Sequence, residues 1–99
     1  KRPLMGAIAA RDSDLVILTS DNPRFEDPGK IIQDIQKGIP GEATNYEAIL
    51  DRRRAIMRAL EVGGEKDIIL LAGKGHEDAQ HVEGETIPFD DREVARENL

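Results

Sequence analysis

The sequence has no cysteine, no tryptophan and only 3% aromatic residues, two Phe and one Tyr. Without cysteine there is no disulfide, no thiolate metal site and no cysteine nucleophile. With so few aromatics the core has to be aliphatic, built from Ile, Leu, Val and Ala. No apolar run approaches the roughly 20 residues that a membrane-spanning helix needs. The opening residues, Lys1-Arg2-Pro3-Leu4-Met5-Gly6, lack the apolar stretch of a signal peptide. Positive charge is in the minority, 14 Lys and Arg against 20 Asp and Glu, for a net charge of −6. A surface that acidic disfavours nucleic acid and anionic lipid, so neither nucleic acid nor membrane is expected as a partner.

The 99 residues that remain suit one compact domain of modest core. Charged residues are frequent but interspersed with apolar runs, which argues against disorder. Two of those runs stand out. Leu15-Val16-Ile17-Leu18 lies between Asp12-Ser13-Asp14 and Thr19-Ser20-Asp21-Asn22-Pro23, and Ile68-Ile69-Leu70-Leu71-Ala72 lies between Glu65-Lys66-Asp67 and Gly73-Lys74-Gly75. Short, continuous, β-branched and bounded by turn formers, each reads as a strand buried on both faces, as in a parallel sheet.

The intervening pattern is helical. Asp27 is placed to cap a helix that starts at Pro28, carries Ile31, Ile32 and Ile35, and closes near Gly38. A second helix runs from Asp51 to about Val62, with Ile56, Ala59 and Leu60 inward, and stops at Gly63-Gly64. Arg2 to Ala10 place Leu4 and Ile8 on one face, and Asp90, with Glu93 three residues on, opens a last helix. Asn45–Leu50 and Ala79–Phe89 are weaker strand candidates, the latter bending at Gly84. The order predicts an α/β fold, a Rossmann-like, mostly parallel sheet with helices on both faces. The first helix has no strand before it, and the chain opens on Lys rather than Met. The expectation is therefore a piece of a longer protein, without its first strand.

In such a sheet ligands bind in the crevice beyond the carboxyl ends of the strands. Asp21-Asn22-Pro23-Arg24 follows one predicted strand and Gly73-Lys74-Gly75-His76-Glu77 the other. If the strands are neighbours, the two segments share one crevice. It would offer an Arg fork for a carboxylate, an Asn amide, and Asp21 and Glu77 for an ammonium, a set suited to a zwitterion such as an amino acid. Plainer readings stand beside these: Asp-Asn-Pro as a turn initiator, the two glycines as a tight turn. Gly-Lys-Gly-His lacks the spacing and the Ser or Thr of a Walker loop. His76, His81 and the nearby carboxylates match no metal-ligand spacing, so no metal is expected. Arg52-Arg53-Arg54 reads as a solvated helix turn, with phosphate binding as the alternative, and Asp90-Asp91 as a helix N-terminus.

The combination of Asp-Asn-Pro-Arg with Gly-Lys-Gly-His-Glu is far more specific than either part. With Lys1–Gly6, Thr19-Ser20, Asp34-Ile35 and Gly38, Asp51-Arg52-Arg53, Ala55-Ile56 and Phe89–Glu93, it resembles the C-terminal domain of the Mur ligases over essentially the whole chain. The nearest likeness is to the members that add meso-diaminopimelate. The resemblance implies a part of a bacterial, cytoplasmic enzyme of peptidoglycan synthesis. That enzyme uses ATP and Mg2+ to turn a carboxylate of the UDP-N-acetylmuramoyl-dipeptide into an acyl phosphate, which the amine of the incoming amino acid attacks. It further implies that Arg24 clamps the distal carboxylate of diaminopimelate, that Asp21, Asn22 and Pro23 shape the pocket, and that Gly73, through its carbonyl, and Glu77 receive the distal ammonium.

The family's central ATPase domain, its UDP-binding N-terminal domain and its glycine-rich first strand have no counterpart in these residues, and Ala79 stands where relatives often carry an aromatic. The chain alone is therefore expected to bind no cofactor and to be inactive, with no catalytic residue of its own. A sister ligase adding lysine, and a non-catalytic α/β module that binds a partner protein, are the alternatives.

Overall fold

The computed structural model describes residues 1–21, 25–74 and 77–99. Their elements run α1 (Arg2–Asp12), β1 (Val16–Leu18), α2 (Pro28–Gln36), β2 (Tyr46–Ala48), α3 (Arg52–Val62), β3 (Ala79–Val82), β4 (Glu85–Pro88) and α4 (Asp91–Glu97). The helix starts follow from local chemistry. An Asp precedes three of them, and its carboxylate accepts from backbone N–H groups that the helix itself leaves unpaired. Asp27 takes Gly29 N at 2.9 Å, Asp51 takes Arg53 N at 3.0 Å, and Asp90 takes Arg92 N at 2.9 Å. α3 stops at Gly63, whose N–H donates to the Ala59 carbonyl.

β1 and β2 pair in parallel, Val16 opposite Tyr46 and Leu18 opposite Ala48, with α2 in the connection. Leu18, Ile32 and Ile39 form the buried cluster on this pair, with Val16, Ile35 and Tyr46 packed around it. Asn45 joins the sheet to α1: its amide donates to the carbonyls of Ala10 and Ser13 at 2.9 and 3.0 Å, closing the C-terminal end of that helix. β3 and β4 form the hairpin expected around Gly84, with Val82 opposite Glu85. Glu83 and Gly84 both have positive φ, 49° and 83°, the conformation a two-residue hairpin loop requires.

The α/β class thus stands, with two corrections. Residues 68–72 do not form a strand and do not pair with β1 among the described residues. A cleft of about 730 Å3 lies between them, lined by Leu15, Val16 and Ile17 on one wall and Ile69, Leu70 and Leu71 on the other. Ile68 is 96% and Leu70 84% exposed, so this apolar run lacks the burial on two faces that its composition suggests. The second correction concerns α1. Leu4 and Ile8 are exposed, and the buried residue of that helix is Gly6. α1 meets α2 through backbone: a Cβ on Gly6 would sit 2.1 Å from the Ile35 carbonyl oxygen, and one on Gly38 1.6 Å from that of Pro3. The glycines bring the helices so close that the larger apolar side chains of α1 are left on its outer side. Arg2 adds a fork from α1 to Glu26, at 2.9 and 3.0 Å, and reaches Asp34 at 3.2 Å.

Gly6→Ala is expected to force α1 off α2 and lower stability by roughly 1–3 kcal/mol, the usual cost of overpacking. The midpoint of chemical denaturation measures it, and an unchanged midpoint would show that the two helices have room to spare.

Candidate functional site

The end of β1 is held against the loop after β2, where Ser20 N and Thr19 Oγ1 both donate to the Leu50 carbonyl at 3.3 Å. This delivers Asp21 to a point where Gly73, Lys74 and Glu77 also arrive. Gly73 has φ +111°, and a Cβ there would stand 2.9 Å from Asp21 Oδ2, so conformation and space both require glycine. Lys74 follows, its side chain wholly buried. Its ammonium donates to the Ala79 carbonyl and lies 3.8 Å from Asp21 Oδ1 and 4.0 Å from Glu77 Oε1. Glu77 N donates back to the Lys74 carbonyl at 2.9 Å, which turns the chain so that Glu77 returns beside Lys74. Gln80, on β3, donates to the Asp21 carbonyl at 3.0 Å.

A second tie sits beneath the first. Arg52, read from the sequence as part of a solvated turn, is buried. Its Nε and one terminal nitrogen hold Asp91 at 2.8 and 2.6 Å, and its guanidinium also donates to the Ser20 carbonyl at 3.1 Å and the Ala72 carbonyl at 3.2 Å. Those carbonyls immediately precede Asp21 and Gly73. Four of the five N–H groups of the fork are thus engaged inside the fold, which leaves Arg52 without the two-pronged face a phosphate would need. Arg53 and Arg54 are exposed as expected; Arg53 pairs with Glu97 at 3.0 Å and lies over the Phe89 ring.

Of the residues singled out in the sequence, Asp21, Gly73 and Glu77 come together. Asn22, Pro23, Arg24 and His76 lie outside the described residues. His81 is exposed on β3, its Nδ1 3.3 Å from Thr86 Oγ1. No group of three His, Cys, Asp or Glu side chains among the described residues could hold a metal ion. The sequence reading missed Arg52, Asp91, Lys74 and Gln80. Arg52 and Asp91 had a usable signal: each heads an apolar stripe at helical spacing, Arg52 with Ala55, Ile56 and Ala59, and Asp91 with Val94. Among the described residues the cluster places two carboxylates, Asp21 and Glu77, around the one Lys74 ammonium.

Asp90 caps α4, the helix that carries Asp91. Its carboxylate takes both Arg92 N and the Arg92 guanidinium, the latter at 2.9 and 3.1 Å. The hydrogen bond from the Arg92 side chain is the main reason its pKa falls to about 2, against an ordinary 3.8. A depressed carboxylate pKa means that the ionised form is favoured by the fold. The cap's contribution is therefore complete above about pH 4 and is lost as the pH falls through 2. Arg92→Ala should return Asp90 toward its ordinary value, which NMR titration of its carboxyl carbon reads directly.

Breaking the buried pair should cost far more. Asp91→Asn, which leaves Arg52 without its counter-charge, is expected to destabilise by roughly 3–5 kcal/mol. Arg52→Met combined with Asp91→Leu should recover most of that loss, because burying two apolar groups leaves no orphaned charge. Denaturant titration of the three proteins checks both statements.

Residues 1–75 match the family described as Mur ligase, glutamate ligase domain. The chain is 52% identical over 97 residues to the UDP-N-acetylmuramoyl-L-alanyl-D-glutamate–2,6-diaminopimelate ligase of Clostridium botulinum, covering 98% of this chain and 20% of that protein. It is 50% identical over 99 residues to the ligase of the same name from Aquifex aeolicus, covering 100% of this chain and 20% of that one. A solved structure of a UDP-N-acetylmuramoyl-L-alanyl-D-glutamate–2,6-diaminopimelate ligase superposes with a TM-score of 0.92 at 44% identity, over 99% of this chain and 20% of that chain. The chain therefore spans about one fifth of the length of the relatives it matches. The family match over three quarters of its residues, at this level of identity and structural likeness, establishes that the chain belongs to the Mur ligase family and corresponds to its glutamate ligase domain.

Proposed function

We propose that this chain is the part of an ATP-dependent, amide-forming Mur ligase that receives the incoming amino acid. The amino acid is meso-diaminopimelate, and its acceptor is UDP-N-acetylmuramoyl-L-alanyl-D-glutamate. The observation that carries this reading is the convergence of Asp21 with Gly73 and Glu77 over one buried ammonium, at the carboxyl end of β1. Relatives about half identical to the chain bear the name of that ligase. In this reading Arg24 clamps the distal carboxylate with a two-pronged guanidinium contact. Asn22 and Pro23 shape the pocket with Asp21, and the distal ammonium is received by the Glu77 carboxylate and the Gly73 carbonyl. The amine at the other end is then free to attack an acyl phosphate on the dipeptide.

The residues present do not fit an ATP or magnesium site. Gly73-Lys74-Gly75 lacks the spacing of a phosphate loop, and the Lys74 ammonium is turned inward onto the Ala79 carbonyl. ATP, Mg2+ and the UDP portion of the acceptor are assigned to the remaining four fifths of a protein of the relatives' length, and the chain alone is not catalytic. Excluding water from the acyl phosphate is the reason for such a ligase to bring its amino-acid-binding part over the reacting centre. The setting is the bacterial cytoplasm and the supply of cell-wall precursors, on which cell shape and division depend.

The discriminating residue is Arg24. Lysine lacks the distal carboxylate and would leave the guanidinium charged and unpaired in a closing cleft, a penalty that rejects it. In the full-length ligase Arg24→Ala should lower kcat/KM for diaminopimelate by roughly 100-fold, about 3 kcal/mol, and lower the slower use of lysine far less. Glu77→Gln should cost roughly 10- to 100-fold in use of diaminopimelate with ATP binding nearly intact. Steady-state kinetics with both amino acids decides. Equal losses on both, with a lower melting temperature, would make Arg24 a packing residue, and a wild type that prefers lysine would replace diaminopimelate by lysine as the substrate.

A further inference from the structure

We infer that Lys74 is a positioning residue for the distal ammonium of the amino acid: from beneath, it holds the Asp21 and Glu77 carboxylates beside one another. The inference rests on the amino-acid-binding reading above. Lysine is among the residues least often buried completely, because its ammonium loses its hydration. Here the side chain has no exposed surface, and the three donors of the ammonium face one carbonyl, Ala79, and two carboxylates. The carbonyl anchors it. The carboxylates come from the two segments that end at the crevice, so one cation registers both.

Asp21 supplies the second observation. Its Oδ1 is buried and has no hydrogen-bond partner among the described residues, and the Lys74 ammonium at 3.8 Å is the cation those residues give it. Its Oδ2 is pressed toward Gly73, and its carbonyl is held by Gln80. Gly73 and Lys74 thus bound the Asp21 carboxylate on one side, while Gln80 holds its backbone. Glu77, half exposed, extends over the same ammonium. Without the ammonium the two carboxylates would lose the cation that lies between them, and the buried oxygen of Asp21 would be left uncompensated. With it the pair keeps its geometry.

The test uses the full-length ligase and two amino acids that differ only at the group in question: meso-diaminopimelate and 2-aminopimelate, which keeps the distal carboxylate but has hydrogen in place of the distal amine. Lys74→Met, of similar length and without charge, should raise KM for diaminopimelate about 10- to 100-fold. KM for 2-aminopimelate and for ATP should stay within about threefold, and kcat should change little, so the preference for the diamino substrate collapses. Lys74→Arg, which keeps the cation, should retain most of that preference. Parallel increases in all three KM values with a lower melting temperature would overturn the inference and leave Lys74 a packing residue, as would no change in any of them. Where Lys74→Met does not fold, Asp21→Asn takes its place. It should show the same selective loss for diaminopimelate, and an intact preference there overturns the inference. A wild-type enzyme that uses neither amino acid contradicts the underlying substrate reading instead.

Discussion

The relation between the two halves of the site depends on the Arg52 guanidinium. β1 and the 68–72 segment share no backbone ladder among the described residues and face each other across a cleft. The order in which Asp21 and Gly73 meet must therefore come from side chains. Arg52 supplies it by taking the carbonyls just before each of them, Ser20 and Ala72, while Asp91 balances its charge from the first turn of α4. A guanidinium suits this position because its planar fork makes several bonds in fixed directions, which an ammonium cannot. A buried ion pair is weak evidence for stability, since an apolar pair of the same size often serves as well. What the pair contributes here is placement.

Charge is layered around that tie. The protein carries a net charge of −6, yet the two side chains at the bottom of the site, Arg52 and Lys74, are both cations. Asp21 and Glu77 lie beside Lys74, and Asp91 pairs with Arg52 at the start of α4. Both buried cations donate to backbone carbonyls, Arg52 to Ser20 and Ala72 and Lys74 to Ala79. The α4 cap belongs to the same system, because Asp90 fixes the turn from which Asp91 reaches Arg52.

What the sequence reveals of this arrangement follows the range of the forces involved. Asp27, Asp51 and Asp90 as helix caps, Pro28 at a first turn and Gly84 in a hairpin loop rest on contacts a few residues apart, and each is found where local chemistry places it. The 68–72 run misleads because its composition is that of a buried strand, whereas burial depends on what lies beside it. α1 misleads in the opposite way: the residue that decides its packing is Gly6, which has no side chain to form an apolar face. The convergence of Asp21, Gly73 and Glu77 follows the rule that segments at strand ends meet in one crevice, although residues 68–72 form no strand. Arg52 and Asp91 were readable only by treating a charged residue at the head of an apolar stripe as part of that stripe. Lys74 was obscured by its glycine neighbours, which suggest phosphate binding, while its side chain turns away from solvent.

The central claim is that the distal end of a diamino dicarboxylate is received between the end of β1 and the 73–77 segment. A crystal structure of the full-length ligase with meso-diaminopimelate bound tests it most directly. The account predicts the distal ammonium at ~2.7–3.2 Å from the Glu77 carboxylate and the Gly73 carbonyl, with Lys74 still on Ala79 and Arg52 still spanning Ser20 and Ala72. An amino acid bound away from both segments, or bound there with Lys74 turned out into solvent, would contradict it.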